Sequence, residues 1–371
     1  MNIESSVLER YSEGAKNAQP SLCCAVDYDR DLLSLLPEEI IEKDYGCGDP
    51  SRFIRAGDVV LDLGSGSGKI CYIAAQLVGE RGSVIGVDMN DDMLALARKY
   101  QSEIAEKIGS DRVSFRKAHI QDLRLDLEAV DRCLAEKPIR NSADLARFKA
   151  WTSEQRSQFP LIVDHSVDLV VSNCVLNLVD EADKRMLVDE IFRVIKPGGR
   201  VAIADIVSDE AVPGHLQSDP LLWSGCIAGA MQEQAFLNAF VEAGFQGVCI
   251  AKWDDAPWQT IEGIEFRSVT VTAFKGQGKE CLDRGHAVIY RGPFSKVHDD
   301  DSHYYPRGER IAVCERTYRL LIERYPDHFI GIAPNIPMEP QTWCAAPGTT
   351  RPAAVTKGGL HRQNVPGGAC C

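Results

Sequence analysis

The chain has 371 residues, of which 44% are hydrophobic and 26% charged, a composition that excludes a disordered or fibrous protein. Its 54 acidic residues outnumber its 41 basic ones, and the net charge of −13 makes nucleic acid and anionic membranes poor partners. The polar N-terminus does not resemble a secretory signal, and no apolar run is long enough to span a bilayer, so we expect a soluble cytoplasmic protein.

Strands and helices alternate in the predicted order over residues 50–275, which is typical of a doubly wound α/β domain. Strands are predicted at 58–63, 84–87, 113–118, 167–172, 200–206, 248–253 and 264–274. Helices are predicted after the first strand and at 91–107, 181–195 and 233–243, and Lys-Pro-Gly-Gly at 196–199 predicts a stop and a turn. If the strand order is 3-2-1-4-5, strands one, four and five end side by side.

Composition divides the chain further. Residues 1–50 are predicted to form a helical segment that ends in a Cys-bearing turn. Residues 51–275 are predicted to form the main domain, with a polar helical insertion at about 125–160. Residues 276–330 predict a small appended C-terminal domain, and the Pro- and Gly-rich residues 331–371 predict a flexible tail.

A glycine-rich loop, with Gly64, Gly66 and Gly68, joins the first strand to its helix. Such a loop lets backbone amides approach a ligand, and an acid after the next strand, here Asp88, takes ribose hydroxyls. The pattern alone fits a dinucleotide or S-adenosylmethionine. Asp62 favours S-adenosylmethionine, because an anion beside the loop suits a cationic sulfonium ligand better than a pyrophosphate.

Two other segments resemble class I methyltransferases, namely the turn at 196–199 and the segment 120–122, which is similar to their adenine-contacting region. They predict a Rossmann-like class I methyltransferase fold. The predicted cofactor-binding residues are Asp62, Gly64, Gly66, Gly68, Asp88, Met89, Ile120, Gln121 and Asn173.

Thirteen cysteines are present without any CxxC pair, so neither a zinc ribbon nor a thioredoxin-type site is indicated. In the predicted topology, Cys71 lies in the first turn of a helix, Cys174 follows strand four, and Cys226 follows strand five. Cys47 lies in the turn before strand one. The helix start predicts a lowered thiol pKa for Cys71. Four thiols beside a methyl donor indicate a soft, thiophilic substrate.

These features resemble the arsenite methyltransferases. The resemblance is carried by Tyr45-Gly46-Cys47-Gly48, DLGSGSG through Cys71-Tyr72, Val87-Asp88-Met89, SNCVLNL at 172–178 and LWSGC at 222–226. The chain departs from the family pattern at Ile70, where many relatives carry an acid, and in the tail with Cys344, Cys370 and Cys371.

The resemblance implies S-adenosylmethionine-dependent methylation of arsenite or methylarsenite in arsenic detoxification. It implies that Cys174 and Cys226 hold trivalent arsenic, and that Cys47 and Cys71 complete binding and form a disulfide. We expect Cys71, Cys174 and Cys226 to be the arsenic ligands. Thioredoxin or glutathione would be the external thiol reductant.

Two other functions stay open from the residues alone. The chain could methylate a small organic molecule, which would need a base or an apolar substrate pocket; His119 follows strand three, but we expect it to be structural. The chain could also be a thiol-based metal sensor that retains a cofactor fold. The segment 298–303, His-Asp-Asp-Asp-Ser-His, fits either a metal site or an acidic surface turn.

Overall fold

The computed structural model describes residues 3–19, 26–277, 280–334, 339–343 and 346–355. The chain divides into two compact units, Met1–Gly276 and Gln277–Cys371. The first unit contains all of the predicted cofactor-binding residues and the four cysteines predicted to meet at the sheet edge.

A mixed sheet forms the centre of the first unit. Its strands are β1 (Val59–Leu63), β2 (Ser83–Asp88), β3 (Val113–Lys117), β4 (Val167–Asn173), β5 (Ile195–Ser208), β6 (Met231–Gln232), β7 (Phe245–Trp253), β8 (Gln259–Ile261) and β9 (Ile264–Lys275). The order is β3-β2-β1-β4-β5-β9-β7, with β6 on β5 and β8 on β9. Strands β1 to β5 are parallel, and β9 is antiparallel to β5 and β7. The predicted 3-2-1-4-5 order is confirmed.

Helices cover both faces of this sheet because its strands are apolar on both sides. They are α1 (Ile3–Lys16), α2 (Arg30–Leu33), α3 (Glu38–Glu42), α4 (Lys69–Leu77), α5 (Asp91–Lys99), α6 (Gln101–Ile108), α7 (Leu127–Glu136), α8 (Ser142–Gln158), α9 (Lys184–Val194), α10 (Gly214–Gln217), α11 (Pro220–Ser224) and α12 (Glu233–Glu242). In β1, Val60 joins the core cluster that contains α4, whereas Leu61 and Leu63 join the opposite cluster with α9 and α12. This alternation is the period of two that a strand imposes on its side chains.

Two predicted elements differ from the structure. The helix predicted at 91–107 is divided at Tyr100 into α5 and α6. The turn predicted at 196–199 lies within β5, where Gly198 has φ +84° and the register with β4 shifts between Val167 and Leu169. The Pro-Gly-Gly segment therefore causes a local irregularity in the pairing of β5 with β4 but does not end the strand.

The second unit consists of short strands and one helix in its described residues. Its elements are β10 (Leu282–Asp283), β11 (Ala287–Tyr290), β12 (Lys296–His298), β13 (Tyr304–Pro306), β14 (Arg310–Ala312), α13 (Glu315–Arg324), β15 (Phe329–Ile332) and β16 (Gln341–Thr342). The predicted boundary at 330/331 falls inside β15, and β16 pairs with β10, so part of the predicted tail belongs to this unit. Two-residue strands leave no periodic signal in the sequence, because two residues are too few to show an alternating pattern.

The acidic segment 298–303 forms the turn between β12 and β13. Asp299 accepts hydrogen bonds from the backbone N–H of His303 at 2.8 Å and from the Tyr305 hydroxyl at 2.6 Å. Within the described ranges, no group of three or more His, Cys, Asp or Glu side chains is arranged to hold a metal ion. The Asp299 carboxylate is thus occupied by hydrogen bonds to His303 and Tyr305. Among the helices that can be described, none has the length and apolarity needed to cross a membrane.

Candidate functional site

The loop between β1 and α4 bends sharply through three glycines. Gly64, Gly66 and Gly68 have φ values of +69°, +49° and +87°, which favour glycine. A Cβ on Gly66 would meet no heavy atom within 4 Å, whereas a Cβ on Gly68 would lie 2.9 Å from the Phe115 ring. Gly66 therefore borders open space, and Gly68 allows α4 to start close to β3.

A cavity of 490 Å³ opens beside this loop, and we call it the glycine-loop cavity. Its lining includes the predicted cofactor-binding residues Asp62, Gly64, Gly66, Asp88, Met89, Ile120, Gln121 and Asn173. Gly68 was predicted with them but is not among the lining residues; the close packing of Phe115 explains why a glycine stands there.

Asp88 ends β2 at the wall of the glycine-loop cavity. Its carboxylate accepts hydrogen bonds from the backbone N–H of Gly66 at 2.9 Å and of Asn90 at 2.8 Å. Burial raises the pKa of Asp88, and these backbone donors oppose that rise. The carboxylate therefore fixes the loop and the following turn relative to each other.

The cavity wall also has a hydroxyl that a ligand could satisfy. The Oγ atom of Ser65 is buried and, within the part of the chain that the structure describes, has no hydrogen-bond partner. A buried polar atom without a protein partner is costly, so this hydroxyl fits a polar group of a bound ligand.

Asp62 and Cys71 form a buried pair behind the glycine loop. The Cys71 thiol donates a hydrogen bond to Asp62 Oδ2 at 3.2 Å. Burial raises the pKa of Asp62 to about 8, and burial together with the Asp62 carboxyl raises the pKa of Cys71 well above its usual value. The predicted lowering of the Cys71 pKa is wrong, because desolvation and a neighbouring acid oppose the thiolate at this helix start.

Cys47, Cys174 and Cys226 lie in one apolar cluster with Ile206 and Phe266, and we call these three cysteines the thiol cluster. Cys47 and Cys174 form a disulfide with a Cα–Cα distance of 5.8 Å. The Cys226 thiol donates to the backbone oxygen of Cys174 at 3.2 Å.

The structure thus differs from the expected Cys47–Cys71 disulfide. Cys71 packs in a separate core cluster and is occupied with Asp62, whereas Cys174 follows β4 directly and reaches the Cys47 turn. Cys174 also lines the glycine-loop cavity, so the thiol cluster adjoins it.

Two members of the thiol cluster have unusual backbone conformations. Cys174 has φ +61° and Cys226 has φ +62°, in the left-handed region that non-glycine residues rarely adopt. The backbone N–H of Cys174 donates to Ala204 in β5 at 2.8 Å, and the N–H of Cys226 donates to Trp223 at 3.0 Å. Residues held in this region cost of order 1–3 kcal/mol and cluster at functional sites.

Asn173 connects the cavity and the thiol cluster. Its Oδ1 atom accepts the backbone N–H groups of Cys47 at 2.9 Å and Gly48 at 3.0 Å, and its amide donates to Gly48 O at 2.8 Å and to the Tyr28 hydroxyl at 3.0 Å. The side chain predicted to bind the cofactor is therefore occupied in holding the Cys47 turn, although it lines the cavity.

Comparison with known proteins identifies the family of this chain. A family model described as a methyltransferase domain matches residues 54–150 and 140–244. An arsenite methyltransferase of Aquipseudomonas alcaligenes is 33% identical, over 88% of this chain and 90% of that protein. The chain belongs to the arsenite methyltransferase family. The mouse arsenite methyltransferase is 31% identical, over 79% of this chain and 72% of its own length.

A solved structure agrees with this family assignment. The arsenic(III) S-adenosylmethionine methyltransferase of Chlamydomonas reinhardtii is 28% identical, with a TM-score of 0.55, and the match covers 89% of this chain and all of that one. The predicted class I methyltransferase fold and the resemblance to arsenite methyltransferases are confirmed. Residues 277–361 match a separate family model described as a domain of unknown function, DUF8838.

In this family member, sequence reasoning missed the contribution of α1 to the site. Val7, Leu8 and Tyr11 of this helix line the glycine-loop cavity, and Glu4 lies 3.5 Å from His119 on the same wall. The sequence contained one sign of this contact, because Val7 and Tyr11 are spaced at i and i+4 and so lie on one face of the helix. The sequence of a helix in a polar segment does not, however, show which part of the protein that face packs against. The cysteines of the predicted tail, Cys344, Cys370 and Cys371, lie outside the described residues.

Proposed function

We propose that this protein transfers a methyl group from S-adenosylmethionine to trivalent arsenic held by the thiolates of Cys174 and Cys226, with Cys47 as the third thiol. The observation that carries the proposal is the convergence of these three cysteines beside the glycine-loop cavity. Trivalent arsenic is soft and prefers thiolate ligands. Cys71, predicted as a ligand, stays a prediction, since it packs in another cluster against Asp62.

The residues of the glycine-loop cavity fit S-adenosylmethionine. In this proposal Asp88 takes the ribose hydroxyls, the 120–121 segment contacts the adenine, and Asp62 takes the cationic amino-acid end; all of them line the cavity. An ammonium group near Asp62 would favour its ionised form, which burial otherwise disfavours. When bound, the cofactor supplies an electrophilic methyl group.

Arsenite loading needs only the thiols of the cluster. Each thiol that bonds to arsenic replaces one hydroxide, and its proton leaves with that hydroxide as water. The arsenic lone pair is then the nucleophile for methyl transfer. No general base is needed, because trivalent arsenic carries no proton at the reacting atom; positioning and desolvation are what the protein contributes.

Formation of the disulfide provides the electrons that reduce the arsenic for the next step. Gaining a methyl group raises the formal oxidation state of arsenic by two. Two thiolates can leave arsenic as a disulfide and return two electrons to it, and the Cys47–Cys174 disulfide has the composition of that product. An external thiol, such as thioredoxin or glutathione, would reduce the disulfide and be oxidised in turn.

A compartment that keeps thiols reduced, such as the cytoplasm, suits this cycle of disulfide formation and reduction. Arsenic detoxification is the biological role that we propose for the protein.

The test is to incubate the reduced protein with S-adenosylmethionine, arsenite and excess thiol, and to separate the arsenic species. We expect methylated arsenic from the wild type and from Cys249→Ser, a control because Cys249 is exposed and lies outside the thiol cluster. Cys174→Ser and Cys226→Ser should each abolish methylation of arsenite and of monomethylarsenite. Cofactor binding without any methylated arsenic would instead support the methylation of a small organic molecule.

A further inference from the structure

A buried carboxylate, that of Asp205, lies near the carboxyl end of β5, next to the residue that binds the backbone of Cys174. Asp205 is fully buried. The residue before it, Ala204, accepts the backbone N–H of Cys174 at 2.8 Å. The reaction proposed above does not use Asp205, because methyl transfer to arsenic needs no general base. The hydrogen bonds of this carboxylate therefore indicate its role.

Asp205 binds the loop that follows Cys174. Its Oδ2 atom accepts the backbone N–H of Leu176 at 2.9 Å, and its Oδ1 atom accepts the side-chain amide of Asn177 at 2.8 Å. Oδ1 also accepts the backbone N–H of Ile206 at 2.8 Å. Hydrogen bonds to an ionised carboxylate are stronger than bonds between neutral groups. One buried side chain therefore ties the end of β5 to the second and third residues after Cys174.

The loop held by Asp205 also approaches the segment that carries Cys226. The Asn177 amide donates a second hydrogen bond, to the Ile206 backbone oxygen at 2.6 Å. A Cβ on Gly229, three residues after Cys226, would lie only 2.0 Å from the Asn177 backbone oxygen. The glycine therefore allows the two cysteine-bearing segments to pack closely at the residue that Asp205 holds.

Cys174 has a backbone conformation that its surroundings must maintain. Its φ of +61° is costly for a residue other than glycine, and such a conformation persists only where neighbouring contacts impose it. The bond to Ala204 fixes the chain at Cys174, and the bonds to Asp205 fix it just beyond. We propose that Asp205 is a positioning residue for arsenic binding, which holds this loop so that the Cys174 sulfur faces the rest of the thiol cluster. This inference rests on the proposed function.

The first test measures the arsenite affinity of reduced protein by equilibrium dialysis at pH 8. Burial raises the pKa of Asp205 to about 7, so its carboxylate is ionised at this pH. Asp205→Asn keeps the shape of the side chain but replaces one acceptor oxygen with a donor, and we expect the arsenite dissociation constant to rise about tenfold or more.

Asp168→Asn is the matched control, because it makes the same change near the opposite end of β4. The Asp168 carboxylate accepts the backbone N–H of Val59 at 2.9 Å, so this variant also loses an acceptor for a backbone donor. We expect its arsenite dissociation constant to stay within about twofold of the wild-type value. Urea unfolding of the reduced proteins compares the stability losses of the two variants.

A second measurement separates positioning from a general loss of stability. In a glutathione buffer, the equilibrium between the Cys47–Cys174 disulfide and its two thiols depends on how well the two cysteines are held together. We expect Asp205→Asn to shift this equilibrium about three- to tenfold towards the thiols. Asp168→Asn should leave it unchanged.

Asn177→Ala keeps the inference testable if Asp205→Asn does not fold. It removes one donor to Asp205, and we expect the arsenite dissociation constant to rise about three- to tenfold. Unchanged arsenite affinity in either folded variant, an unchanged disulfide equilibrium in Asp205→Asn, or an equal loss of affinity in Asp168→Asn would each overturn the inference. Failure of the wild type to bind arsenite would instead reject the proposed function, so the two failures are distinguishable.

Discussion

The side-chain oxygen of Asn173 accepts the backbone N–H of Cys47 at 2.9 Å, across 126 positions of sequence. This bond holds the Cys47 turn against the residue that immediately precedes Cys174. The two cysteines are therefore brought together by a buried amide as well as by the disulfide.

Replacing this amide should loosen the thiol cluster. We expect Asn173→Ala to leave the N–H groups of Cys47 and Gly48 without their acceptor and to lower the free energy of unfolding by about 2–4 kcal/mol. Urea unfolding of reduced protein measures this. Asn141→Ala, which removes an exposed cap of α8, is the control and should cost about 1 kcal/mol. Equal losses in the two variants would contradict a special role for Asn173.

The disulfide between Cys47 and Cys174 should block arsenic loading. We expect oxidised protein to bind no arsenite and reduced protein to bind one equivalent, because both sulfurs must be thiols to replace hydroxide on arsenic. Equilibrium dialysis before and after reduction measures the difference, with peptide mapping of alkylated cysteines to confirm which pair was reduced. Equal binding in both states would place arsenic elsewhere.

Cys47 should matter more for the first methylation than for the second. Arsenite has three exchangeable oxygens, whereas monomethylarsenite has two, so Cys174 and Cys226 suffice for the methylated substrate. We expect Cys47→Ser to block methylation of arsenite yet to leave measurable methylation of monomethylarsenite. Initial rates on both substrates under excess thiol test this, and an equal loss on both would show that the three cysteines act as one unit.

Asp88 should contribute to cofactor affinity directly and through the loop. We expect Asp88→Ala to weaken S-adenosylmethionine binding by about 1.5–3 kcal/mol, since it removes ribose acceptors and the acceptor for Gly66 N–H. Calorimetry gives the dissociation constant. Asp91→Ala, an exposed acid that does not line the cavity, should bind like the wild type. An unchanged constant in Asp88→Ala would show that the ribose lies elsewhere.

The buried Asp62 predicts a pH dependence of stability. Burial raises its pKa from 3.8 to about 8, so between these values the folded protein holds a proton that the unfolded chain releases. Because of Asp62, the free energy of unfolding therefore falls as the pH rises through this window, by up to about 1.4 kcal/mol per pH unit. Above the window, the effect of Asp62 no longer changes with pH.

Asp62→Asn should remove that part of the slope. Urea unfolding from pH 5 to pH 9 in the presence of reductant measures it, and the variant should lose less stability with rising pH than the wild type. Asp205, whose pKa burial raises to about 7, contributes a similar slope in both proteins and so does not affect the comparison. Parallel curves for the two proteins would show that Asp62 is ionised in the folded state.

Much of the fold follows from local patterns in the sequence. The continuous apolar runs of β1 and β4 required a parallel sheet covered on both faces, and the glycine loop with Asp88 predicted the cavity wall. These predictions succeed because strand periodicity and glycine turns are properties of neighbouring residues. The placement of Cys174 at the sheet edge could likewise be predicted, because it directly follows β4, whereas Cys226 lies beyond α11 in the segment after β5.

Which cysteines meet was decided only by the tertiary structure. Cys71 looked activated by its helix start, yet burial and then its hydrogen-bond partner Asp62 raise the pKa of the thiol. Cys47 reaches Cys174 because Asn173 holds its turn, and Arg10 reaches the segment just before Cys226 because α1 packs across the site. The burial of a side chain and hydrogen bonds between residues more than a hundred positions apart produce no periodic pattern in the sequence. They are therefore determined only when the chain folds.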